Sequence, residues 1–419
     1  MSNKIQSFNK TMISDFDRVL DHRGMSSLKW EFIVRNGEPE PWDQTDPELE
    51  NEQVLSMWVA DMDFRTAEPV IKALRDRVDR GIYGYAAKTP EYLDAVKGWM
   101  KRRHDWNIEV DWIVPTVGIV PALNMIVRQF SEPGEKVLIQ RPVYYPFTNS
   151  IRNNNRMVLC NPLTLKDNRY FMDFEDLELK ARDQEVKLMI MSNPHNPVGR
   201  AWSSEELQRV GEICLRNNVL LVSDEVHGDL IMPGHRFAPY GLQESRLAEN
   251  CIVCTAPSKS FNLAGLKASN LLISNPEIRE RMQMEIKASG LYGMNPLGIV
   301  ATQAAYNHGE PWLEEAISYI AKNFEFLENF IKKHIPSLKV LPLEATYLSW
   351  IDCCELELTQ DRLDRLVMEE ARIYVDEGYL FGPEGSGFIR LNLACPRSIV
   401  EKALQRLKAS IDNLDAGRA

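Results

Sequence analysis

Six short apolar runs, at residues 136–140, 156–160, 186–192, 219–225, 251–256 and 268–274, divide the middle of the chain into segments that mostly carry helical periodicity. Their apolarity is continuous rather than alternating, so both faces of each strand need cover. That is the pattern of a mostly parallel sheet with helices on either side. One intervening helix is sharply marked: Ser203-Ser-Glu-Glu206 is a capping-box pattern, Leu207, Val210 and Cys214 fall on one face, and the pattern stops near Asn217-Asn218. Open sheets of this kind gather ligands at the carboxyl ends of their strands. The residues at those ends are therefore the first place to look for chemistry.

The flanks read differently. Residues 1 to about 55 are polar, broken by Pro39, Pro41 and Pro47, and carry an aromatic residue every few positions (Phe16, Trp30, Phe32, Trp42), as an arm packed on something else would. Val54 to Phe64 then brings a short apolar run to the two acids Asp61 and Asp63, ahead of a helix from about Glu68 to Arg80. Beyond residue 275, long helices (276–289, 311–334, 360–372, 398–411) alternate with short strands at 347–352 and 387–393. The expected division is an arm over 1–55 that completes a smaller domain, a large α/β domain over 56–292, and a small α+β domain over 293–419. A chain of 419 residues has length for such a division.

Sixty acidic residues against 49 basic ones, a net charge of −11 spread without long runs, argue against nucleic acid or an anionic membrane as partner. No apolar stretch approaches the roughly 18 residues of a membrane helix, and Met1-Ser-Asn-Lys-Ile-Gln6 is too polar for a signal peptide, so a cytoplasmic protein is expected. Seven cysteines in such a chain imply reduced thiols. Cys251 and Cys254 lie within a strand pattern and read as buried packing, as do Cys353 and Cys354; His195, His227 and His235 match no metal-ligand spacing.

Three strand ends carry polar groups. Cys251-Ile-Val-Cys-Thr255 is a strand-like run, and the Pro257-Ser258 breaker places Lys259 just past its end. The run Val219–Glu225 finishes on Asp224, a carboxylate costly to bury unless something cationic faces it. Ser192-Asn-Pro-His-Asn-Pro-Val-Gly199, rich in turn formers, displays Asn193, His195 and Asn196 at a third strand end. An amine, a carboxylate and an amide on one sheet edge are the set pyridoxal 5′-phosphate requires: a lysine to form an imine, an acid to keep the ring nitrogen protonated, and a donor to O3′. His227 is able to share that last role. Donors for the phosphate are offered by Pro115-Thr-Val-Gly-Ile-Val-Pro-Ala-Leu123, a loop through Gly118 into a helix whose first-turn amides (Ile119, Val120) are free, with Ser258 and Lys267 as further candidates. Pro142-Val-Tyr-Tyr-Pro146 offers an aromatic platform for the ring.

Met57-Trp-Val-Ala-Asp-Met-Asp-Phe64, Ser192–Arg200, Ser223-Asp-Glu-Val-His-Gly-Asp-Leu230, Ala256–Leu266, Glu344-Ala-Thr-Tyr347 and Phe388-Ile-Arg-Leu-Asn392 together resemble the fold-type I pyridoxal-phosphate enzymes, and within them the cystathionine β-lyase and carbon–sulfur lyase group. The resemblance runs through nearly the whole chain. It implies a large domain with a mostly parallel seven-stranded sheet and a smaller α+β domain, with Lys259 carrying the cofactor covalently, Asp224 pairing with the pyridinium and Asn196 bonding O3′. It further implies Tyr144 as the ring-stacking residue and Arg390 as the clamp for the substrate α-carboxylate, a role that suits the guanidinium fork. Tyr85, with Tyr83 as rival, is implied to reach the cofactor phosphate of a neighbouring subunit in a homodimer. Two positions depart from the aminotransferase pattern: His227 replaces a tyrosine, and Lys267 replaces an arginine.

The activity so implied is α,β-elimination on L-cystathionine or related L-cysteine derivatives, giving pyruvate, ammonia and a thiol. An aminotransferase would use the same lysine and aspartate. A regulatory or binding protein that retains the fold is a third reading, and the full complement of Lys259, Asp224, Asn196 and Arg390 argues against it.

Overall fold

A computed structural model describes residues 15–35, 38–41, 54–291 and 293–418. Its centre is a seven-stranded sheet made of Ile113–Thr116 (β1), Lys136–Ile139 (β2), Met157–Cys160 (β3), Val186–Ser192 (β4), Leu220–Asp224 (β5), Cys251–Thr255 (β6) and Ser269–Leu272 (β7). The strand order is β1-β7-β6-β5-β4-β2-β3, and β7 alone runs opposite to the other six. Six of these strands fall on the six apolar runs. The run at 113–116 was not expected as a strand. It contains Pro115, and the structure shows why that is tolerated: β1 is an edge strand, where a missing amide donor costs no ladder bond.

Continuous apolarity is used on both faces. Leu188, Ile190, Val222, Ile252 and Cys254 enter one core with Leu123 and Ile126 of the helix Ile119–Phe130; Met189, Met191, Leu221, Cys251 and Val253 enter the other with Leu207 and Val210. Each such side chain contributes roughly 1.5–3 kcal/mol on burial. Cys251 and Cys254, three residues apart on a strand, thus point to opposite faces and cannot share a ligand. The seven cysteines are unpaired. Cys353 is buried as expected, but Cys354 is exposed, because the chain leaves the strand at Asp352 and turns outward.

The helix Ser204–Arg216 closes its capping box in full: Glu206 N donates to Ser203 Oγ at 3.2 Å and Ser203 N to Glu206 Oε2 at 2.8 Å. The helix Pro296–His308 was not anticipated. It is buried on most sides (Gly298, Ile299, Ala301, Thr302, Ala304, Ala305, Tyr306) and so lacks the one-sided stripe by which surface helices are read. The expected helix over 360–372 is split into Gln360–Asp364 and a π-helical turn over Arg365–Glu370.

A second, antiparallel sheet is formed by Lys339–Val340 (β8), Leu348–Asp352 (β9), Asp376–Glu377 (β10) and Phe388–Asn392 (β11), in the order β8-β9-β11-β10. The long helix Glu310–His334 is tied to it through Asn323 Nδ2, which donates to Leu393 O and Cys395 O. Leu55–Ser56 pairs in parallel with Ile373–Tyr374, joining the arm to this part of the chain. Phe16 packs edge-on against Phe64 with ring centroids 4.8 Å apart. Trp42 and Pro47 lie outside the described residues. Among the described residues no helix is long and apolar enough to cross a membrane.

Candidate active site

Strands β4, β5 and β6 are adjacent and parallel, with Asp224 level with Ser192 on one side and Cys254 on the other, so their carboxyl ends open on one edge. Lys259 follows β6 on the one-turn helix Pro257–Ser260. Its Nζ donates to Ala60 O at 3.0 Å. Burial pulls its pKa down from the ordinary lysine value, with Asp61 opposing and Arg390 reinforcing the shift. A lysine so placed holds its amine closer to the neutral, nucleophilic form.

Asp224 ends β5, 6% exposed, and burial pushes its carboxyl up to about 7, against the Val226 amide at 3.3 Å and the charge of Lys259. Asn196 and Arg390 meet directly, Arg390 Nη1 donating to Asn196 Oδ1 at 2.9 Å. Tyr144 joins them through its amide, which donates to Asn196 O at 3.1 Å; burial holds its hydroxyl far above the ordinary tyrosine value. His227 is buried beside Tyr347, ring centroids 6.0 Å apart, and burial together with the charges of Lys259 and Arg390 keeps it neutral.

The loop displaying Asn196 does not display its neighbours. His195 is fully buried, its Nε2 against Pro142 O at 2.9 Å, and Asn193 bonds Glu225 Oε1 at 3.1 Å and Ala238 O at 3.0 Å. Both serve the loop's packing.

At the other side of the site Gly118 adopts φ +129°, a conformation that favours glycine, and its amide donates to Ser269 Oγ at 3.0 Å. The open first-turn amides are those of Ile119 and Val120. Ser258 shares the Lys259 turn, and Lys267 is exposed, close enough for its charge to act on Lys259. Tyr85 is fully exposed; Tyr83 is largely exposed and its hydroxyl donates to Val78 O at 3.0 Å.

Reading single side chains missed the strap Trp58–Phe64, which crosses the site without regular structure. Its carbonyls are claimed by side chains: Trp58 O by Arg390 (3.0 Å), Val59 O and Asp61 O by Asn392 (2.7 Å each), Ala60 O by Lys259 and by the Tyr347 hydroxyl (2.6 Å), and Met62 O by Asn262 (2.8 Å). Irregular buried backbone demands such donors. Asp376 was missed as well, although Ile373-Tyr-Val-Asp376 has the same signature as Asp224, an acid closing an apolar run. It is buried and ion-paired with Arg390.

The residues present fit pyridoxal phosphate. Asp224 is a buried carboxylate whose pKa is raised for want of a firm cationic partner, as a protonated ring nitrogen would be. Arg390 Nε, His227 Nδ1 and Thr255 Oγ1 are buried polar atoms without a partner among the described residues. Among the same residues no cluster of potential metal ligands is found.

Comparison with known proteins agrees. The family model described as aminotransferase class I and II matches residues 52–407. Cystathionine beta-lyase PatB of Bacillus subtilis (strain 168) is 40% identical over 397 residues, 95% of this chain and 100% of that one. Protein MalY of Escherichia coli (strain K12) is 30% identical over 396 residues, 94% and 97% of the two chains. The crystal structure of cystalysin from Treponema denticola, which contains a pyridoxal 5′-phosphate cofactor, superposes with a TM-score of 0.90 at 38% identity, over 96% of this chain and 100% of that one. On the sheet, the site and these matches, the chain belongs to the aminotransferase class I and II family.

Proposed function

We propose that the protein is a pyridoxal-phosphate-dependent carbon–sulfur β-lyase that cleaves L-cystathionine or a related L-cysteine derivative to pyruvate, ammonia and a thiol. The observation that carries this reading is the convergence of a depressed-pKa lysine, a buried strand-end carboxylate and a buried arginine at one sheet edge, in a chain 40% identical to a cystathionine beta-lyase. Bound pyridoxal phosphate supplies an electron sink that acidifies the substrate Cα–H. Lys259 would hold the cofactor, and its amine, when free, is the base placed to take the Cα proton. Asp224 would keep the cofactor's ring nitrogen protonated. Asn196 and His227 would offer hydrogen bonds to the cofactor's O3′, and Tyr144 would support its ring. The amides of Ile119 and Val120, on the helix entered through the turn at Gly118, would hold the phosphate with Ser258 and Lys267. Arg390 grips the α-carboxylate and so fixes which bond at Cα is broken. The departing group at Cβ is a thiolate, a good leaving group since thiols have a pKa of about 8.5. The aminoacrylate released hydrolyses to pyruvate and ammonia.

Two copies complete each site in this proposal. Ile82, Tyr83 and Tyr85 leave an apolar stretch exposed, and Tyr85 extends fully from it, as a residue reaching into a second copy would.

The test is a panel of cystathionine, cystine, cysteine and S-alkyl cysteines scored for pyruvate and thiol with the wild type and Lys259→Ala. From the wild type, pyruvate is expected in equal amount with the sulfur product, a thiol from cystathionine or S-alkyl cysteines, sulfide from cysteine and a persulfide from cystine; Lys259→Ala is expected to lose both the visible absorption of bound cofactor and turnover. Wild-type protein that takes up the cofactor yet releases no pyruvate from any of the panel would refute the reading.

A further inference from the structure

Arg390 has five N–H donors, and three are committed. Nη1 donates to Asn196 Oδ1 at 2.9 Å; Nη2 donates to Trp58 O at 3.0 Å and to Asp376 Oδ2. Nε is buried without a partner. A carboxylate engages an arginine through two adjacent donors, either Nη1 with Nη2 or Nε with Nη2, and both forks require Nη2. Both Nη2 hydrogens are already spent. Trp58 O belongs to a strap fixed by Arg390, Asn392, Lys259, Tyr347 and Asn262 and has nowhere to go. Asp376 lies on β10, a two-residue edge strand, directly across from Arg390 in the register with β11. Each of the two is 3% exposed.

From this geometry we infer that Asp376 is an internal stand-in for the substrate α-carboxylate: before substrate arrives it holds the Nη2 hydrogen that either fork of Arg390 needs, and substrate binds by displacing it. This deepens the proposed function and rests on its reading of Arg390 as the carboxylate clamp. Asp376 is thereby a specificity-determining residue. It keeps a buried guanidinium neutralised in the free enzyme, and it lowers the affinity for anions that bring a carboxylate alone, since these must compete with a carboxylate already in place. A ligand that also brings an α-amine, able to take the place of Lys259, gains a second attachment and wins.

The test uses the holoenzyme and two non-eliminating ligands, L-alanine and L-alaninamide, which differ in the carboxylate. Binding is read from the change in absorption of the bound cofactor, not from turnover. In Asp376→Asn, which keeps the shape and an acceptor oxygen, L-alanine is expected to bind roughly tenfold or more tightly, the influence of a charge within about 4–6 Å, while L-alaninamide binds unchanged. Asp376→Ser provides the same readout if the asparagine variant misfolds. L-Alanine binding that is unchanged or weaker in these variants would overturn the inference, since Asp376 would then merely orient Arg390. A separate arm tests the underlying reading: Arg390→Gln is expected to abolish the preference for L-alanine over L-alaninamide, and a preference that survives would show that Arg390 is not the clamp.

Discussion

Asp224 illustrates how function and stability oppose each other at a single residue. Burial raises its carboxyl to about 7 in the cofactor-free protein, well above the ordinary value of 3.8. Because the folded form binds the proton more tightly than the unfolded form, stability falls as pH rises from about 3.8 to about 7, and the cost is fully present above that. Asp224→Asn removes the charge. The cofactor-free variant is therefore expected to be more stable than the wild type at pH 8, by about 2–4 kcal/mol, with the difference vanishing near pH 4. Activity with cofactor is expected to drop by about 100-fold or more. Thermal unfolding of both apoproteins across this range checks the first expectation, and initial rates check the second. Lys259, Asp224 and Asn196 were legible in the sequence because each is a polar residue just past an apolar run, where burial without purpose is costly. His195 and Asn193 carry the same turn signature as Asn196 but are spent inside the loop, a distinction that depends on which way the chain turns. The Ala60 carbonyl left no trace at all, since a backbone acceptor has no residue type.

At the scale of elements, Glu344 joins three of them. It accepts from Arg169 Nε at 2.8 Å on a β-hairpin, from Arg200 Nε at 3.0 Å and from Ala201 N at 3.0 Å after the Asn196 loop, and it stands just ahead of β9. Burial alone would raise its carboxyl, but Arg169 and Arg200 outweigh that and hold it below the ordinary value of 4.5. Its stabilising contribution is thus present above about 4.5 and lost as pH falls through its depressed folded value. Glu344→Gln removes the carboxylate shared by Arg169, which is partly exposed, and Arg200, which keeps Glu206 at 3.1 Å, and is expected to cost about 2 kcal/mol at neutral pH, with a shallower loss of stability on acidification than the wild type. Denaturant unfolding at pH 7 and pH 4 measures both. The six apolar runs became strands because continuous apolarity admits little else at that length. The seventh strand was hidden by Pro115, whose tolerance depends on being at an edge. The Pro296–His308 helix was hidden by its own burial, which erases the polar face that marks a helix in sequence.

For the whole molecule, the central question is what the site requires beyond one chain. Tyr85 is exposed in the single chain whereas Tyr83 is tethered to Val78, so Tyr85 is the better placed of the two to act across an interface. Tyr85→Phe is expected to reduce activity at least about tenfold and Tyr83→Phe to leave it nearly intact. In the proposed homodimer, mixing equal amounts of Tyr85→Phe and inactive Lys259→Ala subunits is expected to restore about one quarter of wild-type activity, because half the pairs then contain one site with both native residues. No recovery on mixing would mean that Tyr85 acts within its own chain. The division into an arm, a large unit over 56–292 and a small one over 293–419 remains the expectation with which limited proteolysis and truncation can be compared.

Elimination and transamination share Lys259 and Asp224, so the decisive measurement is made in the absence of any keto acid. Holoenzyme given L-cystathionine alone is expected to release pyruvate and homocysteine in equal amounts at a constant rate over many turnovers. No pyruvate or homocysteine, with at most one equivalent of L-cystathionine losing its amino group until a keto acid is added, would contradict the lyase assignment.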